Sequence, residues 1–195
     1  MMLDGLLTLS RAIDAVNIRI GRWVAWLVVV AILISATNAT IRKIFDTSSN
    51  AWLELQWILF SGVFLLCASW TLISNEHIRI DIVNSFFPKR VRDWIDVLGH
   101  IFFLLPFTLV MIVTGWPFFM ASFRINEQSG NAGGLPQWPA KFLVPLAFVL
   151  LLAQAISELI KRIAVMRGKI DDPHPGGGTS AEAEAAELIR VMEKK

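Results

Sequence analysis

The feature that most constrains this chain is a run without charge, Leu55 to Asn75, 21 residues long. Glu54, flanked by Trp52 and Trp57, closes one end, and the segment NEHIRID, Asn75–Asp81, closes the other. At about 1.5 Å of rise per residue, such a run in helical form crosses a hydrocarbon layer about 30 Å thick. The rest of the chain repeats this pattern. Hydrophobic residues make up 55% of the 195 and charged residues 17%, against about 25% charged in a soluble domain. The expected fold is all-α and integral to the membrane, with four transmembrane helices and short interfacial amphipathic helices. The spans fall at about 23–41, 55–75, 97–119 and 142–160, within a membrane domain of residues 23–165.

The segments between the spans differ. In residues 1–22, Leu6, Leu9, Ile13, Val16 and Ile20 recur at three and four and line one helical face, while Asp4, Arg11, Asp14 and Arg19 take other faces. Two readings stay open: an amphipathic helix lying on the membrane or leading into the first span, and a frayed leader. The first apolar run is too long for a signal-peptide core, so no cleavage is expected. Ala31, Ser35 and Ala39 place small residues at every fourth position, with Asn38 beside them. Such rows allow close helix packing in lipid. Pro88 breaks the loop of residues 75–96, next to Lys89, Arg90 and Arg92. Pro106 and Pro117 interrupt the third span, and Pro145 is placed in the first turn of the fourth. Residues 120–141 carry Gly130, Gly133, Gly134, Pro136 and Pro139, which favour turns. Residues 166–195 are expected to form a flexible tail that is disordered or weakly helical.

Orientation follows from the basic residues. Arg11, Arg19, Arg22, Arg79, Lys89, Arg90, Arg92, Lys161, Arg162, Arg167 and Lys169 gather on one side; Arg42, Lys43, Arg124 and Lys141 lie on the other. Both termini are therefore expected to be cytoplasmic. All eight Trp fall near expected span ends, as an aromatic belt requires.

Little here supports chemistry. One cysteine, Cys67, excludes an internal disulfide and a multi-cysteine metal site. The three His (77, 100 and 174) are scattered. No phosphate loop, zinc spacing or nucleophile motif occurs. No catalytic residue, metal, cofactor or nucleic-acid partner is expected. The spans also lack the midplane charges of a substrate or ion pathway. Glu54 caps the second span or contacts a partner. His77, Arg79 and Asp81 form a solvated turn or a docking segment. Gly133–Pro139, GGLPQWP, forms a rigid re-entry turn or a contact surface.

Four motifs then occur in order: ELQW at Glu54–Trp57, NEHIRID at Asn75–Asp81, DWIDVLGHIFFLLP at Asp93–Pro106 and GGLPQWP at Gly133–Pro139. Together they resemble the small membrane subunit, DctQ-like, of tripartite ATP-independent periplasmic transporters, over roughly residues 15–165. The resemblance implies a bacterial inner-membrane subunit, not an enzyme. Its implied partners are a separate large permease subunit and a periplasmic substrate-binding protein, alongside the lipid bilayer. It implies sodium-coupled uptake of an organic acid, with the outer loop closest to systems for monocarboxylates such as 2-oxo acids. Candidate partner contacts are Glu54, Trp57, His77, Arg79, Asp81, Gly134, Leu135, Pro136 and Trp138. Ala31, Ser35, Asn38 and Ala39 are candidate packing residues, and Arg42, Lys43 and Arg124 candidate docking cations for the binding protein. The competing reading is a membrane anchor of a redox enzyme.

Overall fold

The computed structural model describes residues 2–47, 49–74 and 87–171. His77, Arg79 and Asp81 lie outside them, as does the tail beyond Asp171. Among the described residues the chain forms α1 (Met2–Phe45), α2 (Asn50–Ile73), α3 (Lys89–Gly99), α4 (Leu105–Arg124) and α5 (Trp138–Met166). A π-helical turn, His100–Leu104, joins α3 to α4 without a break. Four helical rods are thus long and apolar enough to cross a membrane.

Local sequence explains these limits. No proline precedes Pro88, so α1 runs unbroken from the amphipathic segment through the first apolar run. At 44 residues it is about 66 Å long, roughly twice the hydrocarbon thickness. It stops at Asp46, which takes a left-handed conformation (φ 49°). The π-helical turn precedes Pro106, whose missing N–H and bulky ring disturb the α-helical ladder one turn earlier. There the Leu105 N–H reaches back to the His100 carbonyl. The fourth rod begins earlier than its apolar run suggests. Trp138 starts it, so Pro145 lies inside the helix rather than in its first turn. Gly115 of α4 packs against Pro145, and an ideal Cβ there would lie 3.6 Å from Pro145 Cδ, an ordinary van der Waals contact.

α5 is the hub of the bundle, packing against each of the other helices. With α4 it forms an aromatic seam, Phe107–Phe148 at 5.5 Å and Phe119–Phe142 at 4.9 Å between ring centroids. α1 crosses α2 closely at Gly21, where an added Cβ would lie 2.6 Å from Trp70 Cε3. The buried positions are largely small or polar: Ser10, Asn17, Ser69, Thr108, Ser122, Gln154, Ser157. Trp23, Phe60, Phe64 and Phe103 point outward. Lipid rewards this inversion, because it solvates apolar side chains but offers polar ones nothing.

Candidate functional site

The two ends of the bundle are built differently. One carries the end of α1, the start of α2 and the loop of residues 125–137; the other carries α3, the start of α1 and the end of α5.

At the loop end, α4 closes with a Schellman motif. Asn126 is left-handed (φ 46°), the Asn126 N–H donates to Phe123 O at 3.1 Å, and the Glu127 N–H donates to Ser122 O at 3.0 Å. The loop then doubles back. Ser129 N–H donates to Leu135 O at 3.2 Å and Gln137 N–H to Glu127 O at 2.9 Å, beside an isolated bridge between Gln128 and Pro136. Gly62 of α2 sits level with Leu143 of α5. At equal rise per residue, the first two turns of α2 therefore stand beyond the start of α5. The loop packs on this protruding stretch.

Glu54 is the anchor. It lies one turn inside α2 and is only 2% exposed. Its carboxylate accepts hydrogen bonds from the Ser129 hydroxyl, from Asn131 Nδ2 at 2.9 Å and from the Leu135 N–H at 2.6 Å. It bonds the loop rather than the first amides of its own helix. Asn50 adds a bond from Nδ2 to Ala132 O at 3.0 Å. Gly134 is required by closeness, because an added Cβ would sit 2.5 Å from Ser129 Cβ and 2.7 Å from Glu54 Oε1. Lys141 bonds Glu127 and fixes the loop to α5. That ammonium holds the Glu127 carboxyl below its ordinary pKa.

The candidate contact residues divide accordingly. Glu54, Gly134, Leu135 and Pro136 meet at this loop. Trp138 opens α5 and packs edge-on against Phe123 at 5.3 Å. Arg42, Lys43 and Arg124 are exposed in the last turns of α1 and α4, at the same end. Trp57 instead lines an open groove of about 720 Å³ between α1 and α2. Ala31, Ser35 and Ala39 line that groove too, with Gln56 and Phe60, while Asn38 is buried.

The sequence reading missed a polar seam at the other end. Gln154 of α5, 0% exposed, accepts from Asn17 Nδ2 at 2.7 Å and donates to Asp14 Oδ1 at 2.7 Å and Glu158 Oε1 at 2.9 Å. Ser157 donates to Asp14 Oδ1 at 2.7 Å, and its hydroxyl lies 2.6 Å from that of Ser10. Lys161 bridges Asp14 at 3.0 Å and Glu158 at 2.5 Å. Ser10, Asp14 and Asn17 thus turn inward, and Leu9 and Val16 are 52% and 55% exposed on the opposite side. α3 is seated by Arg162, which bonds Asp93 at 3.2 Å and Asp96 at 2.8 Å. Among the described residues, no group of three or more His, Cys, Asp or Glu converges as a metal site.

No curated protein and no solved structure matches the chain. One family model does, over residues 31–165, and it contains every element of the Glu54-anchored loop end except part of α1: the chain belongs to the family of the DctQ component of tripartite ATP-independent periplasmic transporters.

Proposed function

We propose that this chain is the small permease subunit of a sodium-coupled, binding-protein-dependent carrier of an organic acid. Membership makes it a component of a transporter rather than an enzyme, and it implies a large permease subunit and a binding protein as partners. The redox-anchor reading gives way to that membership. On this proposal the subunit holds the static part of its large partner in a bacterial inner membrane, with both termini in the cytoplasm. The excess of Lys and Arg at the terminal end supports that orientation.

The observation that carries the reading is the clamped loop. Three hydrogen bonds to one buried carboxylate fix residues 129–135 on α2, and a preorganised loop loses little freedom when a partner lands on it. Arg42, Lys43 and Arg124 flank it and supply charge for an acidic patch on the binding protein. His77, Arg79 and Asp81 are proposed to contact a partner subunit.

Affinity purification of the tagged chain from its native membrane in mild detergent, with mass spectrometry, tests the assignment. A stoichiometric multi-span partner is expected; a haem-bearing partner, or none, sinks it. Docking is tested separately by reversing Arg42, Lys43 and Arg124 to Glu. Uptake is expected to fall and to lose its salt dependence. Unchanged uptake across salt concentrations would remove these residues from the docking surface.

A further inference from the structure

The geometry points to a second ligand surface on the opposite end: we propose that the first two turns of α3 bind anionic phospholipid headgroups. α3 begins after Pro88 with Lys89, Arg90 and Arg92 and then carries Asp93 and Asp96. In sequence these charges nearly cancel. In the structure they part. Asp93 is buried, and both aspartates turn toward α5, where Arg162 meets them at 3.2 and 2.8 Å. Val97 is buried on that same face. The opposite face is Val91, Trp94, Ile95 and Leu98, all exposed, with Phe87 exposed just ahead of it. On a helical projection, Arg90 and Arg92 fall on the two edges of this apolar stripe, and both are outside the ion-paired face. An apolar face edged by cations is the form of a helix seated at a membrane surface.

Charge selects the occupant. With both carboxylates turned to Arg162 on the opposite face, α3 shows Arg90 and Arg92 to the leaflet on its side. Guanidinium forks bind phosphate in two-point geometry. The stripe covers acyl chains below the headgroup, and Trp94 lies at the depth where indole rings settle. The rod of α3, the π-helical turn and α4 is 36 residues, or about 54 Å, longer than the hydrocarbon is thick, which leaves length for its start to reach the headgroup layer. The proposal does not rest on the transporter assignment, and either can fail without the other.

The test is native mass spectrometry of the full chain in micelles doped with phosphatidylglycerol or phosphatidylcholine. Wild type is expected to retain phosphatidylglycerol in preference. Each cation near an anionic surface is worth roughly five-fold, so R90Q/R92Q is expected to bind it about thirty-fold more weakly. R90K/R92K is expected to keep most of the preference, and raising salt to about 0.5 M to erase it. Reactivity of Cys67, in the α1–α2 contact, reports whether each variant folds. Equal retention of the two lipids by wild type overturns the proposal, as does undiminished phosphatidylglycerol binding in folded R90Q/R92Q. Displacement of the lipid by inorganic phosphate at millimolar levels would assign the site to a soluble anion instead.

Discussion

Gln154→Leu is the most direct test of the seam that holds α1 to α5. Leucine nearly matches glutamine in volume, so the change removes bonds without opening a large cavity. Three bonds disappear: one with Asn17, and two to the carboxylates of Asp14 and Glu158. Asp14 keeps Ser157 and Lys161, and Glu158 keeps Lys161. Asn17 keeps nothing. Among the described residues its Oδ1 already has no partner, and the change would strip Nδ2 as well in a residue 3% exposed. A neutral bond contributes about 1 kcal/mol, and a bond to a charged group about 1.5–3 kcal/mol. Hydrogen bonds between membrane helices run lower, near 0.6 kcal/mol on average. Weighing the two scales gives about 3 kcal/mol, which in a chain of this length lowers Tm by about 6–12 °C. Cys67, the single thiol, lies half-buried with its Sγ 4.0 Å from Gly21 O. Its labelling by a fluorogenic maleimide in mild detergent therefore follows the melting of α1 from its neighbours. Adding Asn17→Leu to Gln154→Leu should cost less than the two separate losses, since the orphaned amide is gone. A Tm within 1–2 °C of wild type, or strict additivity of the two substitutions, would refute the claim that this network fixes α1.

Other outcomes follow from the same geometry. Glu54→Ala is expected to raise hydrogen exchange at the Leu135 amide on the order of tenfold, while amides in the middle of α5 stay unchanged. Gly21→Ala sets a Cβ 2.6 Å from the Trp70 ring. It is expected to cost about 1–3 kcal/mol in thermal melting, part of which Trp70→Leu recovers in the same chain. The Glu127–Lys141 pair gives a pH signature. Glu127 has a depressed pKa in the folded chain, so its contribution is complete above the ordinary carboxyl value of 4.5 and is lost as pH falls through the lower folded value. Melting between about pH 3 and 6 should show that loss, and Lys141→Met should flatten it; an unchanged profile in Lys141→Met would assign the acid sensitivity elsewhere.

The spans were legible because a long uncharged run has few other solutions in a chain this apolar. Which face of each helix turns inward was less so. In residues 1–22 two stripes share one rhythm: Leu6, Leu9, Ile13, Val16 and Ile20 recur at three and four, and so do Ser10, Asp14, Asn17 and Gly21. Periodicity finds both and ranks neither. The structure buries the polar one, which meets its complement on α5. The clue available in sequence was the matching series Gln154, Ser157, Glu158 and Lys161, polar at helical spacing near the end of an apolar run. Glu54 stood out as a carboxylate at a span edge, but Ser129 and Asn131 are ordinary loop residues. Only a fold that brings together positions 75 and 77 apart in sequence reveals them as its donors. Pro145 reads as a first-turn residue because Trp138 to Lys141 read as loop, whereas the helix starts at Trp138 and Pro145 lies inside it against Gly115 of α4.

The distribution of bonds along the bundle carries a consequence for how it can serve a partner. Directional contacts concentrate at the two ends, with Glu54 and its loop at one, and Asp14, Gln154, Lys161 and the Arg162 pairs at the other. Between them lie apolar contacts, such as the Phe107–Phe148 rings of α4 and α5 and Leu143 of α5 beside Gly62 of α2. Ends fixed by hydrogen bonds set the relative height and rotation of the helices, because each bond has one register. Apolar contacts in lipid tolerate sliding, since the alternative neighbour is equally apolar. A bundle pinned this way keeps its shape while its outward faces exchange lipid for protein. Substitutions among outward residues such as Phe64 or Val113 should then leave thermal stability nearly untouched and, where a large subunit covers them, weaken only its retention. The opposite result, loss of stability in the isolated chain, would mean that those faces already hold the bundle together.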